Sequence, residues 1–423
     1  MADRIGGQSG HLITGRPADC QHRRNHFKIY SLLTARRWWG VVAGLLLVLG
    51  WASAPVYATS VSDLVNQQIQ SLNTNGLENQ VTALIQGQSP LPIPTLTDIV
   101  KALGAHQMPF DPRQLIAAVG RQLAGDLRTE SRVLGIIFLL TVLAAMLQRL
   151  ADAFEGKDAS GLVGLSRMIV LSAILLVALR SFGIAVGMVE GVVGNLVHLM
   201  ESLIPLLLVL LAGSGAIASA GIFHPLMMAV TNLVAVLTKR WVLPLVLFAT
   251  VTELVSQWLP KYSLKNLGSL FRQVGLTLLG GLMTLFIGVM AVEGAAGAVA
   301  DGVTLRTGKF LANTFVPVVG KMFSDAMEAV LGSSLLLKNA VTVLGALGII
   351  VLVTFPLIKL FLMMFLYRLG GALSEPLGVS GVGDTLNVMA NALGWLIAIA
   401  GAVALMFFLV ITVVVGTTNG VQL

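Results

Sequence analysis

Asp384 closes the tetrapeptide GVGD (381–384), the pattern that intramembrane aspartyl proteases place around a catalytic carboxylate. That chemistry needs two carboxyls sharing one proton, so that one of them can activate water. No second aspartate falls within an apolar span, and the surrounding GVSGVGDT reads as a loop. Asp384 is therefore expected to serve a turn or a helix cap. GVTLRTGKF (302–310) has the outline of a phosphate loop, but five residues rather than four separate its glycines. Phe310 also stands where a Ser or Thr would hold magnesium, so nucleotide binding is excluded.

Three further charges are placed where charge is expensive. Arg180, Glu253 and Lys359 each interrupt a long apolar stretch, and an ionised side chain in hydrocarbon must pair or face water. An Arg180–Glu253 ion pair would settle two of them as a structural lock. The alternative is a polar pathway, and the residues alone do not decide between the two. Metal and thiol chemistry are not expected, and no cofactor is. The single cysteine is Cys20, near the N-terminus, and His106, His198 and His224 are scattered.

The elements that position these charges follow from composition. The 423 residues are 56% hydrophobic and only 11% charged, with mean hydropathy +0.87. Soluble domains carry roughly 25% charged residues. The apolar runs lack period-two alternation and approach the ~20 residues a helix needs to cross a bilayer. An all-α, polytopic membrane protein is expected, with seven to eight spans. They are predicted at 133–148, 168–189, 203–220, 222–238, 241–258, 274–292, 340–366 and 392–415.

The net charge of +7 is concentrated at the N-terminus. Residues 1–58 hold seven Lys/Arg against two Asp/Glu, so no basic stripe remains for nucleic acid. Arg36 and Arg37 precede WWGVVAGLLLVLGWASA and the small residues of VYATS, the order of a secretory signal peptide. Cleavage is expected after Ala58, because a cut after Ala54 would set Pro55 beside the scissile bond. Residues 59–131 read as an exported helical region, in which Asp111 and Pro112 open a helix with Leu115, Ile116, Val119 and Leu123 on one face. The membrane domain is expected over 132–416, with a short tail at 417–423.

Gly183, Gly187 and Gly191 repeat every fourth position and make a smooth face for close helix packing, within the chain or with a partner. Residues 293–339 are rich in small side chains yet carry Glu293, Asp301, Arg306 and Lys309. Such a segment reads as re-entrant or interfacial, lining a conduit or a helix interface.

EGAAGAVADGVTLRTGKFLANTFVPVVGKMFSDAMEAVLGSSLLLKNA (293–340) resembles the central signature of the stage III sporulation protein AE family, and LSEPLGVSGVGDTLN (373–387) resembles that family's penultimate loop. The resemblance covers the chain after about residue 60. It implies a non-enzymatic, multi-pass component of a channel or secretion-like complex in the mother-cell membrane around the forespore. The implied partners are the other membrane proteins of the stage III A operon, including its ATPase, and the forespore stage II protein Q. Self-association is a further expectation. A stand-alone secondary transporter using Arg180, Glu253 and Lys359 is the rival reading.

Overall fold

In the computed structural model the described residues are 79, 82, 83, 94–105, 112–153, 159–214, 217–258, 264–315, 319–378 and 380–419. The leader with its expected cleavage after Ala58 lies outside them, as do Asp111 and the tail after 419. The described elements are all helical: α1 Leu96–Gly104, α2 Pro112–Ala153, α3 Ala159–Gly213, α4 Ile217–Leu237, a π-helical turn Thr238–Val242, α5 Leu243–Trp258, α6 Lys265–Phe315, α7 Val319–Ser374 and α8 Ser380–Asn419. In hydrocarbon no water relieves an open backbone N–H or C=O, which favours segments that close all their bonds internally.

Five helical stretches are long and apolar enough to cross a membrane: Met168–Gly213, Phe223–Gln257, Lys265–Glu293, Val330–Ser374 and Gly381–Val414. The expected count of seven to eight is not reached among the described residues. The stretch expected at 133–148 falls within α2, where only the shorter run Gly135–Met146 is apolar. The pieces expected at 222–238 and 241–258 join through the π turn, so Lys239 and Arg240 sit in helix rather than in a loop. Hydropathy falls at these charges, but the backbone does not need to break there. The helices outrun the bilayer. With 55 and 56 residues, α3 and α7 extend roughly 80 Å at about 1.5 Å per residue, against a hydrocarbon core of about 30 Å.

Helices α3, α7 and α8 form the centre, with α2 on α3 and α7 and the α5–α6 hairpin beside α8. Gly345 marks their junction. A Cβ there would stand 2.8 Å from Leu203 Cδ1 of α3 and 3.1 Å from Ile411 Cδ1 of α8. Where α7 turns into α8, Gly378 adopts φ 78° and its N–H donates to the Glu375 carbonyl. Only glycine takes that left-handed conformation without strain. Gly383 follows, with Ser374 Oγ 2.6 Å from where a Cβ would be. The glycine of GVGD therefore serves helix approach.

Helix α1 is amphipathic and docks on α7 through the fully buried Leu96 and Ile99. Thr95 caps it: its hydroxyl oxygen accepts from Asp98 N–H, and the Asp98 carboxylate accepts from the Thr95 N–H and hydroxyl. The side-chain hydrogen bond from Thr95, then the backbone one, holds the Asp98 carboxyl below the usual aspartate range. The ionised cap thus contributes stability above the ordinary aspartate pKa and loses it as pH falls through the lower folded value.

Two outcomes are expected. Gly345→Val overpacks the α3–α7–α8 junction by about 1–3 kcal/mol and lowers the thermal unfolding temperature in detergent. Gly280→Val, where nothing lies within 4 Å, meets no neighbour and replaces a poorer helix former, so it does not lower that temperature. Hydrogen-exchange protection factors in α1 fall on acidification below the ordinary aspartate range, and Asp98→Asn removes that pH dependence together with part of the cap, typically worth about 1 kcal/mol.

Candidate functional site: charged residues in the helical bundle

The structure separates the charges that the sequence suggested might pair. Glu253 on α5 is held by Arg272 on α6, with Nη2 2.9 Å from Oε1 and Nη1 3.4 Å from Oε2. The two side chains are 16% and 29% exposed, enough enclosure to strengthen the pair beyond a surface ion pair. Arg180 is therefore not the partner of Glu253. The reason is local: α5 and α6 are a helical hairpin, and the pair closes across it close to the turn. Gly268 lets the helices meet, because a Cβ there would stand 2.7 Å from Glu253 Cγ and 3.1 Å from the Ala249 carbonyl oxygen. The Arg272 guanidinium carbon also lies 6.0 Å from the Trp395 ring centroid on α8, within cation–π range. One arginine thus ties α5, α6 and α8.

Arg180 lies exposed on α3, with no ion pair among the described residues. Gly183, Gly187 and Gly191 share the exposed side of that helix, and nothing lies within 4 Å of a Cβ built on any of them. The glycine stripe is not a packing seam within the described chain. Further along α3, Gly194 is one: the Lys239 ammonium of the π turn lies 2.9 Å from where its Cβ would be. Lys359 is half-buried on α7, a turn beyond Pro356.

Glu293 is 6% exposed and continues the buried stripe of α6 formed by Leu279, Leu282, Phe286 and Met290. Asp301, Arg306 and Lys309 follow on the same unbroken helix, and their side chains lie outside the described set. Asp384 is exposed in the first turns of α8.

Lys338 was missed by the sequence reading because its span was set to begin at residue 340. It is fully buried on α7, and its Nζ donates to the Val414 carbonyl of α8 at 3.3 Å. Ser334 and Thr342 lie on the same buried polar side, and the Thr342 hydroxyl returns to the Lys338 carbonyl. An i, i+4, i+8 series of polar residues inside an apolar run (Ser334, Lys338, Thr342) was the available signal.

Chemically, the arrangement is one of pairs and single charges. Among the described residues no group of three His, Cys, Asp or Glu side chains comes together. Among the described residues no ionisable side chain lines the groove of about 240 Å³ between α2 and α7, bordered by Ser131, Phe138, Thr141 and Leu373.

A bundle of long apolar helices with a few enclosed charges defines a polytopic helical membrane protein. The family model described as stage III sporulation protein AE matches residues 95–418, and the chain belongs to that family. It is 36% identical over 310 residues to stage III sporulation protein AE of Bacillus subtilis (strain 168), which covers 73% of this chain and 77% of that relative. No solved structure matches.

Removing one member of the hairpin pair should expose its worth. Glu253→Ala and Arg272→Ala each lower stability in detergent by about 1–2 kcal/mol, because each leaves a partly enclosed charge unpaired. The double variant costs less than the sum, as a double-mutant cycle on thermal unfolding would measure.

Proposed function

We propose that this chain is a non-enzymatic membrane component of the sporulation channel or secretion-like complex linking mother cell and forespore. On this reading it sits in the mother-cell membrane around the forespore and is needed for forespore development. Its partners are the other membrane proteins of the stage III A operon with their ATPase, and the forespore stage II protein Q.

The observation that carries the reading is the exposed face of α3. Residues 168–189 contain one charge, Arg180, and at about 1.5 Å per residue they just span a hydrocarbon core of about 30 Å. If the expected span 168–189 is the part that crosses the bilayer, Arg180 is at mid-span; it is exposed and free of any ion pair among the described residues. Facing lipid, such an arginine costs about 3 kcal/mol on insertion scales. The adjoining glycines leave room for another helix to approach closely enough to relieve it. A partner helix with an acceptor at that depth satisfies both features. Segment 293–339, with Asp301, Arg306 and Lys309, is assigned to an inner interface or conduit of the same assembly.

The test is purification of tagged chain from sporulating cells in mild detergent. The other stage III A membrane proteins and the ATPase should be recovered with it. Gly187→Leu and Arg180→Leu should lose them while the chain keeps its unfolding temperature. A monodisperse chain without partners, or an unchanged set of partners in both variants, contradicts the proposal.

A further inference from the structure

Glu293 occupies an unusual position for a carboxylate. It is 6% exposed and lies in the interior of α6, far from either helix end, so it caps no free backbone N–H. Its Oε1 is fully enclosed and accepts no hydrogen bond, and it forms no ion pair with a described Lys, Arg or His. An enclosed carboxylate in this condition is costly unless a positive charge accompanies it.

The neighbouring helix carries matching vacancies in hydrogen bonding. On α4 and the π turn, Thr231 and Thr238 are 2% and 0% exposed, and neither hydroxyl has a hydrogen-bond partner. The hydroxyls of Thr141, Thr250 and Thr342 return to the carbonyl one turn back, as threonines in helices commonly do. Those of Thr231 and Thr238 do not, although such an acceptor is always within reach on a helix. They are seven residues apart, two turns along one face.

Helix register brings these groups into one region. Gly268 of α6 meets Ala249, Thr252 and Glu253, and Gly275 meets Val242, Leu245 and Val246. The two helices therefore run antiparallel with a constant offset. Continued through the π turn, that offset sets Thr238 beside the Leu279–Leu282 turn and Thr231 beside Phe286–Met290. Glu293 then falls level with the Phe223–Thr231 stretch of α4, and helix α4 packs against α6. Along this seam the buried polar groups among the described residues are two neutral hydroxyls and one carboxyl, each with an unused oxygen.

We infer that Glu293 is a cation-binding carboxyl within the bundle, holding a proton or an alkali-metal cation, with the Thr231 hydroxyl as the neighbouring neutral ligand. The inference is independent of the α3 face and concerns the chain by itself. Thr238 lies about two turns further along, where a hydroxyl could pass the ion along the seam.

The test uses the full chain purified alone in lipid nanodiscs. Infrared difference spectra are recorded across neutral pH without alkali cations, then with sodium or potassium added. A carboxylic-acid carbonyl band present in the wild type and absent from Glu293→Gln, unmoved by either cation, supports a proton site. The same band, abolished by added sodium or potassium, supports an alkali-cation site. If neither a band nor a cation response distinguishes the wild type from Glu293→Gln, the inference is overturned. Labelling of the wild type with a hydrophobic carbodiimide, mapped by mass spectrometry, keeps the test independent of how the variant folds. Modification at Glu293 is expected, and protection by cation marks the second arm. Modification confined to other carboxyls contradicts the inference.

Discussion

Closing every polar group inside a low-dielectric bundle is the constraint on which the rest of this structure depends. The backbone meets it by remaining helical over stretches much longer than a bilayer needs. Side chains meet it case by case. Lys338 reaches the Val414 carbonyl across the α7–α8 contact, and Arg272 shares its guanidinium between Glu253 and the face of Trp395. These links join helices that apolar packing alone would hold without a fixed rotation, since lipid tails and leucines offer similar surroundings.

Glycine divides into two populations under the same constraint. Gly268, Gly345 and Gly383 lie where another helix leaves no room for a Cβ, and they set how closely α5, α7 and α8 approach their neighbours. Gly183, Gly187 and Gly191 have open space over them and share an exposed side of α3 with Arg180. Open glycines occur on other helices too, such as Gly280 and Gly288 of α6, but the α3 stripe combines three at every fourth position with an exposed arginine, a face suited to assembly. Family membership connects the chain with sporulation, and the α3 face supplies the physical reason for proposing a partner.

The helical membrane class was legible in the sequence because composition and period carry it directly. Pro112 as the first residue of α2 was legible from its fixed φ. The continuity of the helices was not. Lys239 and Arg240 lower local hydropathy and look like a loop, yet the backbone passes them in a π turn. Among the charges, Glu253 was recognisable as enclosed, but its partner was not. Arg272 falls just before the span expected at 274–292, whereas the short turn of the hairpin returns it to the level of Glu253. Within the region 59–131, read as helical, Thr95 and Asp98 spell the capping box that starts α1, a local signal that residue types and spacing carry by themselves. Ile116 and Leu123, expected to form one apolar face of α2, are 70% and 40% exposed. Periodicity shows which residues share a face but not what covers it.

The central claim is that the glycine face of α3 meets another protein inside the membrane, and site-specific photocrosslinking tests it most directly. A photoreactive amino acid is placed at Gly187 in otherwise unaltered chain, and sporulating cells are irradiated before lysis. The account predicts a discrete adduct between this chain and a membrane protein of the stage III A operon, lost when Arg180 is also replaced by leucine. Adducts with lipid alone would show that the face lies open to the bilayer, and would contradict it.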